Sequence, residues 1–122
     1  MRNKFIKGLT ILVLVLVPTS CRTSPSFNFG AYSEAERFYE KGKYEKAIDK
    51  YQEYLRGNPE GNMAIISSYY LAKCYENVGQ PEKAQEIYQK IIKEHPGMVW
   101  ADFSKTRLQE LAPKSPQSQD KK

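Results

Sequence analysis

Side chains that carry out catalysis or bind metals are scarce in this sequence. Its 122 residues include one histidine and two cysteines, and no segment reads HExxH, CxxC or GxSxG. A glycine-rich phosphate loop and an acidic calcium loop are absent as well. Zinc needs several ligands at fixed spacing, and a hydrolase needs a nucleophile beside an oriented base. We therefore expect no enzymatic activity, no metal or other cofactor, and no small-molecule substrate.

The two cysteines and the single histidine have simpler explanations than chemistry. Cys21 follows an apolar run and is a candidate for lipidation, as argued below. If Cys21 is lipidated, Cys74 has no partner for an intramolecular disulfide, so no disulfide framework is predicted. Cys74 lies beside Tyr75 in a helical pattern, which indicates a small buried residue rather than a reactive thiol. His95 precedes Pro96 at a predicted helix end, where it is expected to cap the negative end of the helix.

The charge of the chain gives little support for a nucleic-acid partner. The formal net charge is +5, but the first twenty residues contribute three basic residues and no acidic one. From Cys21 onward the net charge is therefore +2. Because most of the basic excess belongs to this leader, no nucleic-acid binding is predicted.

Residues 1–20 have the pattern of an export signal. A basic start precedes the apolar run GLTILVLVLV at residues 8–17, which is shorter than the roughly 20 residues needed to span a bilayer. The following PTSC, residues 18–21, resembles the cleavage box of bacterial lipoproteins, although Pro18 stands where an aliphatic residue is usual. The resemblance implies that Cys21 is lipidated and becomes the new N-terminus. The alternative is cleavage nearby by the general signal peptidase, which would leave a soluble exported protein.

The residue after Cys21 bears on the destination of such a lipoprotein. In sorting like that of enterobacteria, Asp at this place retains a lipoprotein at the inner membrane. Arg22 occupies it here, so the resemblance implies a periplasm-facing anchor in the outer membrane rather than the inner one.

Two segments without helical periodicity flank a central domain of about eighty residues. Residues 21–30 are predicted to be a linker behind the lipidated cysteine, and residues 112–122, which are polar and contain two prolines, a disordered tail. Between them, residues 31–111 are long enough for one small domain.

Within that domain one phrase occurs twice at a fixed offset of 37 residues. The stretch YEKAIDKYQEYLRGNP at residues 44–59 returns as PEKAQEIYQKIIKEHP at residues 81–96 in modified form. The offset also relates earlier positions, Tyr32 with Tyr69, Ala35 with Ala72 and Phe38 with Tyr75. An offset held over some forty positions indicates one structural unit used twice.

Each unit has the signals of two helices joined by a short turn. Ser33 and Glu36 form a capping-box pattern that predicts the start of the first helix. Gly42 and Gly79 predict the ends of the first helices, and the second helices are predicted to begin near Tyr44 and Pro81. Pro59 and Pro96 predict the ends of the second helices. No window alternates with a period of two, so no strand is predicted.

A third helix is predicted from Met98 to Leu111. Trp100, Leu108 and Leu111 fall on one of its faces, with Val99 and Phe103 beside it. We expect it to cover the apolar end of the second hairpin. The predicted fold is all-α, with repeats at about residues 31–64 and 65–97 and a capping helix at 98–111, forming a short α-solenoid.

Each unit contains, in this order, a small residue, an aromatic residue, glycine, alanine, tyrosine and proline. This order resembles the tetratricopeptide repeats. The 37-residue unit and the lipoprotein-like leader are similar to the periplasmic repeat lipoproteins related to BamD of the outer-membrane β-barrel assembly machine, and to the C-terminal repeats of the Tol-Pal coordinator protein. The resemblance implies that the first helix of each unit lines a concave groove that binds a protein or peptide. The groove residues it implies are Tyr32, Glu36, Tyr39, Tyr69, Lys73 and Glu76.

Two functions remain open at this point. One is a non-catalytic, membrane-anchored periplasmic adaptor that binds protein segments in envelope assembly. The other is a structural subunit whose repeats pack within a larger envelope complex, such as barrel assembly, Tol-Pal or a pilus, and whose groove tyrosines are only half-buried packing residues.

Overall fold

A single row of antiparallel helices runs through residues 29–113, the range that the computed structural model describes. Within it the helices are α1 Phe29–Glu40, α2 Tyr44–Gly57, α3 Asn62–Asn77, α4 Pro81–Glu94 and α5 Val99–Leu111, with no strand among them. Each helix packs on the next, and α3 also touches α5. The first helices α1, α3 and α5 therefore form one layer and α2 and α4 the other, which confirms the predicted all-α solenoid.

Some predictions lie outside this range. The export signal at residues 1–20, the lipidation of Cys21, most of the linker and the tail from residue 114 onward concern residues that the structure does not describe.

The hairpin turns close as the glycines predict. Gly42 and Gly79 have φ angles of +66° and +76°, which only glycine adopts without steric cost. The residue after each glycine donates its backbone N–H to the carbonyl five residues earlier, Lys43 to Phe38 and Gln80 to Tyr75, both at 2.9 Å. This pattern satisfies carbonyls that a helix end leaves unpaired.

The other helix boundaries agree with the sequence except at the start of α1. Helices α2 and α4 end two residues before Pro59 and Pro96, as predicted. The capping-box prediction is wrong, because α1 begins at Phe29 and Ser33 lies inside it. Glu36 accepts a hydrogen bond from the Tyr32 hydroxyl at 2.5 Å.

The two hairpins are held together by small and large residues in alternation. Four alanines, all fully buried, allow the paired helices to approach closely: Ala35, Ala47, Ala72 and Ala84. Tyr51 and Tyr88 are fully buried beside them and fill the space that the small residues leave. Gln52 on α2 donates to the Tyr75 hydroxyl on α3 at 2.8 Å and so joins the two units.

Helix α5 repeats the pattern of α3 at the same offset of 37 residues. Ala64 and Ala101 are both buried, and Ser67 and Ser104 are both fully buried. Each serine hydroxyl donates to the carbonyl oxygen four residues earlier, at 2.7 Å in both helices. The helix predicted as a cap is therefore in register as the first helix of a third unit.

The outer face of α5 is polar where α3 is apolar. Gln109 occupies the position that Ala72 holds in the second unit, and it is exposed. Leu108 and Leu111 pack against the main core, as expected. Trp100 does not join them, because it is half-buried and packs in a second cluster around Ile91 and Ala101.

Candidate functional site

Aromatic side chains form a continuous patch where α3 meets α5. The ring centroids of Tyr69 and Trp100 are 5.1 Å apart, those of Trp100 and Phe103 5.5 Å, and those of Tyr69 and Phe103 6.1 Å. Tyr70 lies beside them, 5.6 Å from Tyr69 and 6.1 Å from Trp100. We call these four residues the aromatic patch.

The patch is stable in shape yet open to solvent. Tyr69, Tyr70 and Trp100 are half-buried, whereas Phe103 is 46% exposed. Perpendicular and tilted ring contacts of this kind are worth about 0.5–1.5 kcal/mol beyond the area they bury. The rings are therefore held in place by one another, while Phe103 keeps a face for a ligand.

Two adjacent tyrosines on α3 connect the patch to the first unit and to α4 of their own unit. Successive residues of a helix point about 100° apart. Tyr70 accordingly contacts Tyr39 on α1 at 5.2 Å and stacks on Tyr51 of α2 at 6.4 Å. Tyr69 contacts Tyr88 on α4 at 5.6 Å.

A buried carboxylate network lies toward the C-terminal ends of the same helices. Glu76, whose side chain is 9% exposed, accepts from Tyr88 Oη at 2.5 Å and from Arg107 Nε at 3.2 Å. Arg107 also forms ion pairs with Glu76 and with Glu110. Burial alone would raise the pKa of Glu76, but the hydrogen bonds from Arg107 and Tyr88 outweigh it, so that pKa is lowered.

The six predicted groove residues fall into different environments. Tyr32 is buried at 8% exposure, where its ring contacts Tyr51 and Tyr54 and its hydroxyl bonds Glu36. Burial is also the main cause that raises the pKa of Tyr39 to about 12. Lys73 is half-buried on α3.

The structure links several of these residues through rings that lie between them. It joins Tyr39 to Tyr69 through Tyr70, and it pairs Tyr32 with Glu36 beside Tyr51, whose ring stacks on Tyr70. Glu76 is engaged by Arg107 and Tyr88 within the chain. Partner binding by the six residues stays a prediction.

Four residues of this region were missed as groove candidates, namely Tyr70, Trp100, Phe103 and Arg107. One signal could have found two of them. Carrying the 37-residue offset one unit further relates Ile66 to Phe103 and Tyr70 to Arg107, which places both on the first-helix layer.

A cleft lies between α2 and α4, with α3 as its floor. It encloses about 600 Å³. Its floor and walls are mainly apolar, with Leu55, Ile65 and Ile91 among them, and charged residues of α4 stand at its rim. The backbone N–H of His95 caps α4 by donating to the Ile91 carbonyl at 2.9 Å, and His95 is among the residues that line this cleft.

Cys74 is buried as predicted. It is 0% exposed, and burial raises the pKa of its thiol to about 12. Between residues 29 and 113 no three His, Cys, Asp or Glu side chains are grouped so that they could hold a metal ion. None of the helices in that same stretch is long and apolar enough to cross a membrane.

Comparison with known proteins identifies the repeat. The profile of the tetratricopeptide repeat matches residues 38–102, which is more than half of the chain. The chain belongs to the tetratricopeptide repeat family. No solved structure matches significantly.

This tetratricopeptide repeat protein is also similar to a curated chloroplast protein of Arabidopsis thaliana. The two are 27% identical over 74 residues, which is 61% of this chain but only 21% of the relative. The chain therefore spans about a fifth of that relative's length.

Tetratricopeptide repeats are generally a non-catalytic fold for protein–protein interaction. The family thus supports an adaptor role in which this chain binds protein partners. The aromatic patch lies on the layer of first helices, α1, α3 and α5.

Proposed function

We propose that this protein is a non-catalytic adaptor that binds a segment of a partner protein on its first-helix layer, with the aromatic patch as the anchor point. The observation that carries the proposal is the contact of Tyr69, Trp100 and Phe103 across α3 and α5, in which Phe103 remains 46% exposed. Tyrosine and tryptophan are enriched among the residues that dominate binding energy at interfaces.

The neighbouring polar groups support the same use of this layer. The buried Glu76 network joins α3, α4 and α5, so the helices that carry the patch keep a fixed spacing. A preorganised surface loses less conformational entropy when a ligand binds. A segment seated on the patch therefore meets a rigid receptor.

The finer assignment concerns the compartment. We propose that the adaptor belongs to the cell envelope, anchored through lipidated Cys21 in the outer membrane and facing the periplasm, where it serves envelope assembly beside machines such as barrel assembly or Tol-Pal. The leader at residues 1–20, the PTSC segment and Arg22 support this assignment.

Metabolic labelling with a fatty-acid analogue tests the anchor. We expect the full chain to be labelled and to fractionate with outer membrane, and a Cys21→Ser variant to lose both properties. A Cys21→Ser chain that is labelled and fractionates like the parent would refute the lipid anchor while leaving the adaptor role intact.

Affinity capture from the native envelope fraction tests the adaptor role. We expect Phe103→Ala to lose the partners that the parent chain retains. The matched control is Val99→Ala, because Val99 is 54% exposed on the same helix yet lies outside the patch. Circular dichroism establishes that both variants are folded. Unchanged partners for a folded Phe103→Ala variant would exclude the patch as the binding site.

The structural-subunit alternative is favoured by one observation, the cleft between α2 and α4. Its apolar floor is the kind of surface that a neighbouring subunit covers. Exchanging the rim charges of Lys90 and Glu94 would then disrupt co-fractionation with a large complex, while Phe103→Ala would not. The opposite pattern supports the adaptor.

A further inference from the structure

Acidic side chains outnumber basic ones on the first-helix layer, which consists of α1, α3 and α5. Its three helices carry more carboxylates than cations. The carboxylates belong to Glu34, Glu36, Glu40, Glu76, Asp102 and Glu110, and the cations to Arg37, Lys73, Lys105 and Arg107.

The two cations of α5 form ion pairs within α5 and with α3. Arg107 forms ion pairs with both Glu76 and Glu110, and its side chain is only 26% exposed. Lys105 pairs with Asp102 at 2.9 Å on the exposed side of α5. Arg107 is thus shared by two carboxylates and Lys105 is paired with Asp102, so these three acids and two bases keep a formal net charge of −1.

One carboxylate of α1 is paired with α2. Glu34 forms an ion pair with Lys50 of α2 at 2.8 Å. Arg37 is exposed, and its guanidinium lies 5.8 Å from the ring centroid of the next residue, Phe38. Glu34 is therefore balanced within the first hairpin, whereas Arg37 remains an exposed cation of the layer.

The open face keeps one row of charges in equivalent positions. Glu36, Lys73 and Glu110 follow one another at the 37-residue offset, one in each unit. Glu110 remains 52% exposed despite its ion pair, and Glu36, which accepts a bond from Tyr32, is half-buried like Lys73. The row therefore has two acids and one base, and the exposed Glu40 adds a further acid.

This acidic excess lies at one end of the layer and the aromatic patch nearer the other. Trp100 and Phe103 lie in the first two turns of α5, whereas Glu110 lies in its last turn. Glu40 likewise ends α1, and Glu76 is the second-last residue of α3. Helix C-termini add partial negative charge, so three parallel helices reinforce the carboxylates there.

Resting on the proposed function, we propose that the layer selects a partner segment in which an apolar side chain is followed about three residues later by lysine or arginine. Phe103 and Glu110 are seven residues apart on α5, which is about 10 Å along a helix axis. An extended chain covers that distance in about three residues. The apolar side chain binds the aromatic patch, the first basic residue faces Glu110, and a later basic residue lies toward Glu36 on α1.

Two lysines of the α1–α2 turn stand just beyond the acidic end. Lys41 and Lys43 are exposed in that turn and are not part of a helical face. Their neutralisation, Lys41→Gln with Lys43→Gln, serves as a charge control that leaves the carboxylates unchanged.

Three synthetic nonapeptides, titrated calorimetrically into the purified full chain at low and high salt, test the inference. The first has a leucine followed after three residues by lysines, the second replaces the lysines by glutamates, and the third replaces the leucine by serine. We expect the first to bind about tenfold more tightly than the second at low salt and to lose most of that advantage at high salt. The third should bind most weakly.

Variants of the chain separate the inferred preference for basic residues from the proposed adaptor role. Glu36→Gln with Glu110→Gln should remove the preference for lysine over glutamate but leave the leucine requirement, whereas the lysine control should not reduce the preference. Equal binding of the first two peptides to the parent overturns the charge inference, while the adaptor role survives. If no peptide binds although Phe103→Ala still loses the natural partner, the inferred segment is wrong. If the natural partner is also retained by Phe103→Ala, the proposed function itself fails.

Discussion

Arg107 of α5 donates to both carboxylate oxygens of Glu76 on α3, and thereby ties the third unit to the second across 31 residues of sequence. Tyr88 of α4 donates to the same carboxylate at 2.5 Å. Three helices thus converge on one nearly buried charge. Because an unpaired buried charge is costly, this contact should be among the most sensitive in the domain.

Removal of the arginine tests this directly. Arg107→Ala leaves Glu76 without its cation, and we expect the free energy of unfolding at neutral pH to fall by about 2–4 kcal/mol. Urea unfolding followed by circular dichroism measures it. The control is Lys105→Ala on the same helix, which removes an exposed pair with Asp102 and should change stability by less than about 0.5 kcal/mol. Equal losses of stability in the two variants would mean that the buried pair of Glu76 and Arg107 contributes no more than an exposed one.

The same carboxylate predicts a pH dependence. The pKa of Glu76 is lowered in the folded state, so the unfolded chain takes up its proton first as the pH falls. The contribution of Glu76 is therefore complete above the ordinary carboxyl pKa of about 4.3 and is lost as the pH drops below that value. A Glu76→Gln variant should be less stable than the parent at neutral pH, and its stability should fall less steeply between about pH 5 and pH 3. Parallel curves for the two chains would contradict the assignment.

Replacing a hairpin glycine should lower stability because of its backbone conformation and not because the new side chain would clash. A Cβ added at Gly79 would meet no atom within 4 Å, yet the φ of +76° disfavours any side chain. Gly79→Ala should therefore destabilise the domain by about 1–2 kcal/mol. Gly57→Ala is the matched control, because Gly57 ends α2 with no positive φ and equally open surroundings. It should be neutral or stabilise by up to about 1 kcal/mol, and thermal unfolding of both variants decides.

Substitution of Ala101, the buried alanine of α5, should lower the stability of the domain more than substitution of Trp100. Ala101→Asp places a charge at a fully buried site and should cost about 3–5 kcal/mol, enough to detach α5. Trp100→Ala should cost less than the roughly 3–5 kcal/mol of a fully buried tryptophan, about 1–3 kcal/mol, because Trp100 is half-buried. Thermal melts followed by circular dichroism compare them. Gln109→Ala, on the exposed face, should melt like the parent.

Thiol accessibility gives a separate check on the packing. The burial of Cys74 and its pKa of about 12 predict almost no reaction with a thiol reagent in the native chain at mildly alkaline pH. Denaturant should make the same thiol react at once. A Cys21→Ser variant isolates Cys74 for this measurement. Rapid native labelling of that variant would mean that the α3 core opens readily.

The fold was predictable because it rests on local signals repeated at constant spacing. Gly42, Gly79, Pro59 and Pro96 each end a helix for a reason that acts within a few residues, and the structure follows them. Ser33 misled because the same local pattern also occurs inside a helix, and only packing decides where α1 begins.

The candidate site was predictable only in part, since it depends on contacts between units. Tyr69 and Tyr39 are recognisable from their register, but their connection through Tyr70 requires the packed structure. Trp100 was assigned to the core of α5 from its helical face. Its contacts with Tyr69 and Tyr70 depend on how α5 crosses α3, which no pattern within α5 specifies.

The chain has one tryptophan, and it lies in the aromatic patch. Its indole emission therefore arises entirely from the proposed binding surface, where two tyrosine rings at 5.1 Å and 6.1 Å absorb light and can transfer excitation to it. A ligand that covers Phe103 would change the polarity around that indole, so the intrinsic fluorescence of the unlabelled protein reports occupancy of this surface. The cleft between α2 and α4 has no tryptophan in its lining, so a ligand bound there would not contact the indole and should change its emission less in the same titration.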